Sequence, residues 1–466
     1  MNNTYFLLLP DGIGLRNFAY TSFSEMAEGN NAELVYWNFT PFNLEEMGYN
    51  EIKGPKPKLH KLTDVYKNVR KNIELHLNIK RTNDPVYDSY KFPKSWKTVN
   101  AAIKNVLTSV HSKLNTSEAG LKHVRNKIMS LEKSTNYYNE CLEVLKKEKP
   151  AILFCTNQRP SIAIAPIEAA KSLGIPTVCF IFSWDNLPKA TIVVEADHYF
   201  VWSDHMKKEL LFYYPDMKEN QVIVTGTPQF EGHFDKEFLL SREHFFDTYN
   251  LDRDKKYICF SGDDITTSPN DPYYLEDTAK AVKYLNSQGS NIGVIFRRCP
   301  VDFSDRYDAV LEEYKELIVP IAPKWQKAGG MWNAIMPTKA DTELLVNTAR
   351  HTELVINVGS SMVFDFVCHE KPCAFINYDS MKRNHPTWNI DHIYKYVHFR
   401  SMPNRDSVYW LNSSEEIAAI IEKAMNSDNK KVIENAHLWH SKIVNGPKKA
   451  SSHIWSELTN KAKQAR

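Results

Sequence analysis

Short apolar runs of four to six residues alternate along this chain with longer stretches of helical periodicity, the signature of parallel sheets built from βαβ units. In the first half, residues 5–9, 33–36, 152–155, 178–182, 199–202 and 222–225 read as strands, and 15–27, 162–173 and 205–213 as helices. A second series follows the stretch 226–246, with strands at 257–261, 292–296, 317–321, 354–358 and 373–377 and helices at 275–286, 342–348, 362–368 and 415–425. A chain of 466 residues is too long for one compact core. The expected architecture is therefore α/β with two doubly wound domains. Residues 1–230 form the first, with a helical insertion at about 58–149 where Lys-, Asn- and Leu-rich helical periodicity replaces the alternation. Residues 251–430 form the second, and 431–466 supply terminal helices broken at Gly446-Pro447. Sheets of this kind bind ligands at the carboxyl ends of their strands, so two in tandem would place a cleft there.

Charge narrows the function classes. A net charge of +2 argues against a general nucleic-acid binder, which carries a strong basic excess. The excess is local: residues 51–150 hold 21 Lys/Arg against 10 Asp/Glu, and the rest of the chain is acidic. Such a segment reads either as a set of solvated helix faces or as a peripheral contact with an anionic membrane. No apolar run approaches the roughly 18 residues of a transmembrane helix. The start, with five apolar residues stopped by Pro10-Asp11-Gly12 and no basic flank, reads as a buried strand rather than a signal peptide. Seven scattered cysteines without a C-x-x-C pair, several within apolar strands, fit reduced core thiols, and the expected location is the cytoplasm. The histidines show no metal-ligand spacing, so no metal is expected.

In the second half, the strand at 354–358 runs into Gly359-Ser360-Ser361 and a helix opens at once. Backbone N–H groups and two hydroxyls there suit a pyrophosphate, and Asp365, one turn further in, could take ribose hydroxyls. The plainer reading is a serine cap with an acidic first turn. Arg297 and Arg298 close another buried strand, either to neutralise phosphates or to cap a surface. The strand at 257–261 meets a polar loop containing Gly262 and Thr266, which reads as a donor-binding loop or a plain turn.

In the first half, the strand at 5–9 leads into Asp11-Gly12-Ile13-Gly14-Leu15-Arg16-Asn17. Gly12 and Gly14 allow a tight turn close to a ligand, with Arg16 and Asn17 beside it, although Asn17 stands where a dinucleotide fingerprint has its third glycine. Asp11 at the strand end can act as a general base or simply form the turn. Ser183-Trp184-Asp185-Asn186 follows another strand: Trp184 offers a ring to stack on a sugar, with Asp185 and Asn186 for its hydroxyls, or the pair forms a turn.

Taken with Val201-Trp202-Ser203 and Val224-Thr225-Gly226-Thr227-Pro228-Gln229-Phe230, these motifs resemble the GT-B superfamily of glycosyltransferases, in the bacterial branch that builds capsule and lipopolysaccharide. The resemblance implies two facing Rossmann-like domains, the first for the acceptor and the second for a nucleotide sugar. It further implies no cofactor, no metal, and terminal helices that cross back toward the first domain. Relatives often read Arg-x-His-Pro where this chain has Arg298-Cys299-Pro300, and His398 falls at another recurrent position of that branch. The expected reaction is inverting sugar transfer to a glycan or glycolipid hydroxyl, with Asp11 or Asp185 as base. A teichoic-acid-type polyol-phosphate transferase, a nucleotide-sugar 2-epimerase and an inactive glycan- or nucleotide-binding subunit remain as alternatives.

Overall fold

The computed structural model describes residues 3–30, 32–92, 94, 96–328, 335–382, 385, 387–426 and 429–464. The chain divides into two compact units. Unit 1 comprises Met1–Pro228, Lys327–Met336 and Ile443–Arg466, and unit 2 comprises Gln229–Gln326 and Pro337–Lys442.

Unit 1 is built on seven strands: β1 (Thr4–Leu9), β2 (Glu33–Asn38), β3 (Glu51–Lys53), β4 (Ile152–Cys155), β5 (Thr177–Phe180), β6 (His198–Val201) and β7 (Val222–Val224). Every pairing is parallel, in the order β3-β2-β1-β4-β5-β6-β7. Phe6, Leu7, Leu8 and Leu9 are fully buried, as a central strand covered on both faces requires. The register Tyr5↔Ile152 to Leu8↔Cys155 makes β1 and β4 neighbours although more than 140 residues separate them. Their junction is the point where strand order reverses.

The crossover from β3 to β4 carries the helical block. Helices Thr63–Thr82, Val99–Leu114, Glu118–Lys133 and Asn136–Glu148 start at Leu62, Thr98, Ser117 and Thr135, and the last three side chains cap amide N–H groups, each worth about 1 kcal/mol. Val65, Val69, Ile73 and Leu77 recur every four residues and pack on Leu121, Val124 and Ile128. A buried Arg70–Glu74–Arg125 group, with contacts of 2.8 and 3.0 Å, anchors the block, and Arg70 donates to the Ala190 carbonyl at 2.9 Å. The closing helix, Ala450–Gln464, also belongs to unit 1. Its Trp455 stacks on Phe23 at 5.1 Å and donates to the Phe23 carbonyl at 2.6 Å.

Unit 2 carries β8 (Lys256–Ser261), β9 (Ile292–Arg297), β10 (Ile318–Pro320), β13 (Val355–Asn357), β14 (Cys373–Ile376) and β15 (Tyr409–Leu411), all parallel, in the order β10-β9-β8-β13-β14-β15. Here strand order reverses between β8 and β13. The short β11 (Gln326–Lys327) and β12 (Ile335–Met336) form a separate two-stranded sheet. All seven cysteines are free thiols, five of them buried. No helix among the described residues is long and apolar enough to cross a membrane.

Both sheets are parallel α/β, as the alternation predicts. The helix expected at 15–27 is the exception: it breaks into Gly14–Phe18 and Met26–Gly29. The Thr21 hydroxyl donates to the Asn17 carbonyl at 2.7 Å and accepts from the Phe23 amide at 3.4 Å, giving the backbone a turn in place of a continued helix. Ala465, at the end of the last expected helical stretch, lies outside the described residues.

Candidate functional site

Strand-order reversals in doubly wound sheets leave a crevice at the strands' carboxyl ends, because the flanking connections run to opposite sides. In unit 1 that position belongs to Asp11, just beyond β1, and Asn157, just beyond β4. The Asn157 amide donates to Asp11 Oδ2 at 2.8 Å, and the Ile13 amide donates to Oδ1 at 3.1 Å. Burial pushes the Asp11 carboxyl up to about 6, against the opposing pull of these donors and of Arg159. A carboxylate poised near neutrality is suited to taking a proton.

Next along the chain, Gln158 spans from β4 to the end of β5. Its Oε1 accepts from the Phe182 amide at 2.9 Å, and its Nε2 donates to Asn186 Oδ1 at 2.9 Å. The Asn186 amide donates to Asp185 Oδ1 at 2.8 Å, Ser183 donates to the same oxygen, and Lys189 pairs with Oδ2. Asp185 is thus neutralised, and Trp184 is 5% exposed, packed into the unit rather than presented as a platform. Asn157 and Gln158 were not singled out from the sequence. Their signal is there in Thr156-Asn157-Gln158-Arg159, a polar run straight after a buried strand.

Gly12 and Gly14 are required, but by the protein itself. A Cβ on Gly12 would stand 2.6 Å from the Ile335 carbonyl oxygen, and one on Gly14 2.6 Å from Thr156 Oγ1. The expected close approach of a ligand is, at both positions, a close approach of the chain. Arg16 is half-buried, and Asn17 is buried in the short helix that follows.

In unit 2, Gly262, Arg297/Arg298 and Gly359–Ser361 come to the carboxyl ends of the adjacent strands β8, β9 and β13. Gly359 has φ +66°, and a Cβ there would meet the Phe399 ring at 2.8 Å. Gly359→Ala is therefore expected to destabilise unit 2 by about 1–3 kcal/mol, visible as a lowered unfolding midpoint. The Ser360 amide donates to Asn357 Oδ1 at 2.8 Å, fixing the turn, and Ser360 and Ser361 remain half-buried. The helix they open, Met362–Val367, is only six residues long and offers little dipole.

Two expected donor contacts are corrected by the geometry. Arg297 is 5% exposed, and its NH2 donates to both Asp341 oxygens at 3.0 and 2.9 Å, so its charge is already met. Arg298 keeps its charge unpaired by any described carboxylate, donating to the Ser304 carbonyl at 3.2 Å and lying 5.6 Å over the Tyr307 ring. Asp365 is 4% exposed and faces inward, where its Oδ1 bonds His233 Nε2 at 2.9 Å. His233 Nδ1 in turn meets His369 Nε2 at 3.0 Å. Burial, and then the neighbouring His233, lowers His369 to about 3, so it is neutral. The three side chains thus form a continuous chain, His369–His233–Asp365. This relay, invisible at the level of motifs, occupies one oxygen of the Asp365 carboxyl.

The Gly262 loop is held by Arg306, which donates to the carbonyls of Asp263 and of Ser268 (2.7 Å) and to Asp302 Oδ2 (2.8 Å). Gly262 is needed because Tyr307 Oη lies 2.7 Å from where its Cβ would be. Thr266 is exposed and bonded to Asp264 within the loop. Burial raises both Asp263 and Asp271, the latter to about 6, and the neighbouring carboxyls of Asp271 and Asp264 push Asp263 up further.

No protein-family model matches the chain, and no curated protein matches it in sequence. Solved structures do. A putative UDP-N-acetylglucosamine 2-epimerase from Listeria monocytogenes aligns over 100% of this chain and 98% of its own, at 10% identity and a TM-score of 0.56. MnaA of S. aureus in complex with UDP aligns over 98% and 96%, at 12% identity and a TM-score of 0.51. A glycosyltransferase from Rickettsia africae aligns over 99% of each, at 9% identity and a TM-score of 0.50. The fold is of the GT-B type. At these identities the likeness is one of architecture, and it is shared by epimerases and transferases alike.

Proposed function

We propose that the protein is a nucleotide-sugar-dependent glycosyltransferase that moves a sugar, with inversion, onto a hydroxyl of a bacterial surface glycan or glycolipid. The observation that carries this reading is Asp11: a buried carboxyl pushed up to about 6 at the strand-order reversal of unit 1, held by Asn157. The Asp11 carboxylate takes the proton of the acceptor hydroxyl, whose oxygen bonds to the anomeric carbon. The bond from that carbon to the donor's diphosphate oxygen breaks, and its electron pair leaves with the nucleoside diphosphate. Arg298 and the Gly359–Ser361 turn receive the charge that builds on that leaving group.

A proton-accepting Asp11 sets a pH dependence. The base must be ionised, so kcat/KM is expected to rise with pH through a value near 6 and level off above it. Stability runs the other way. Because the folded carboxyl titrates above its ordinary value of 3.8, Asp11 favours the folded state below that value, and this contribution is lost as pH rises through about 6. An activity profile flat from pH 5 to pH 8 would remove Asp11 from the proton transfer.

A panel of nucleotide sugars incubated with and without glycan acceptors tests the reading. Acceptor-dependent release of nucleoside diphosphate, with an inverted glycosidic product and undiminished rate after chelation, is the expected outcome. The second reading is a nucleotide-sugar 2-epimerase, favoured by the full-length fold likeness to such enzymes. Intact donor recovered as its 2-epimer would establish it. Release of CMP would indicate a polyol-phosphate transferase instead, and tight binding without turnover an inactive binding subunit.

A further inference from the structure

The helical block of unit 1 contains a helix that is amphipathic in the wrong sense for a surface helix. Val99–Leu114 turns Thr108, Ser112 and His111 toward the neighbouring helix, with Thr108 buried and His111 against Tyr66 at 5.2 Å. Leu107 packs inward on the core of the block, but five other apolar residues face the other way. Val99, Ile103, Val106, Val110 and Leu114 are 47–76% exposed, and their spacing lays them in a single stripe. Phe92 and Trp96, in the segment that leads into the helix, are 63% and 60% exposed. Soluble monomers rarely leave so continuous an apolar face to water.

On the Thr108–Ser112 side of the same helix lies a groove of about 410 Å³, between it and Thr63–Thr82 and bordered by Lys91, Phe92 and Lys94. Lys71, His76, Lys91, Lys94 and Lys113 line it, and among the described residues no acidic side chain does. Lys71 sits 3.6 Å over the Phe92 ring, and burial, then Arg70 and Arg159, lower its ammonium to about 8. A cation so poorly solvated gains from an added anion.

We propose that this face docks on an anionic lipid bilayer, with the Val99–Leu114 stripe in the boundary between headgroups and acyl chains and the lysine groove over the lipid phosphates. An apolar stripe flanked by lysines is the pattern of an interfacial helix, and the net excess of eleven positive charges in residues 51–150 complements anionic headgroups. A second copy of the chain fits poorly, because a two-fold contact would set the same lysines against each other. The inference stands apart from the sugar-transfer reading, since docking needs no donor.

The test is co-sedimentation of the full chain with vesicles of phosphatidylcholine alone and with vesicles containing phosphatidylglycerol. Binding is expected only to the second, weakening as salt is raised. Ile103→Glu/Val106→Glu, at exposed positions, should reduce it roughly ten-fold or more without changing the circular dichroism spectrum. Lys94→Gln/Lys113→Gln should reduce it roughly ten-fold. Equal binding to both vesicle types, or unchanged binding by both variants, overturns the proposal. So does a dimer in solution that Ile103→Glu/Val106→Glu dissociates, which would assign the face to a second copy.

Discussion

Asp11→Asn is expected to lower acceptor-dependent turnover by about 100- to 10,000-fold, the contribution of a positioned general base, while nucleotide affinity changes little. Asparagine matches the buried carboxylate in volume and can still accept from the Ile13 amide, so the loop should keep its shape. What is lost is the basic oxygen. The ascending limb near pH 6 should vanish from the residual activity, because its titrating group is gone. A rate within about two-fold of the parent, at an unchanged KM, would move the proton transfer elsewhere. Asp185 is a weak substitute: its oxygens are occupied by Ser183, Asn186 and Lys189.

The second large effect is on stability. Asp341→Ala is expected to cost about 3–5 kcal/mol, read as a drop in the unfolding midpoint of unit 2. Asp341 accepts from Arg297 through both oxygens, from the Lys324 amide at 2.8 Å and from Trp325 Nε1 at 2.7 Å. Removing it leaves a buried guanidinium without a counter-charge and two donors without an acceptor. Replacing both charges together, Arg297→Met with Asp341→Leu, should recover much of the loss, since the penalty lies in the uncompensated ion. A loss below about 1 kcal/mol for Asp341→Ala would mean that Arg297 is not held by this pair and remains available to a phosphate.

The sheets were legible because parallel strands covered on both faces must be nearly continuous apolar runs, and Phe6–Leu9 or Val355–Asn357 can be little else. The edge strands Glu51–Lys53 and Tyr409–Leu411 were not, because they are partly exposed and carry no continuous buried apolar run. Candidate positions at strand ends were legible for a related reason: a polar residue that stops a buried run has few places to be except the carboxyl edge. What each side chain does there was not. Arg297 and Asp365 find partners 44 and 132 residues away, in Asp341 and His233, and only the folded chain brings those partners near. The same holds for the glycines of the first loop, whose missing side chains make room for Ile335 and Thr156.

The sugar-transfer reading requires unit 2 to hold the nucleotide at the Gly359–Ser361 turn. A crystal structure of the protein soaked with nucleoside diphosphates measures this directly. The diphosphate is expected at the carboxyl ends of β8 and β13, within hydrogen-bond reach of Arg298 and the Gly359–Ser361 turn. A nucleotide bound at any other place in unit 2, with Arg298 and that turn untouched, would contradict the account.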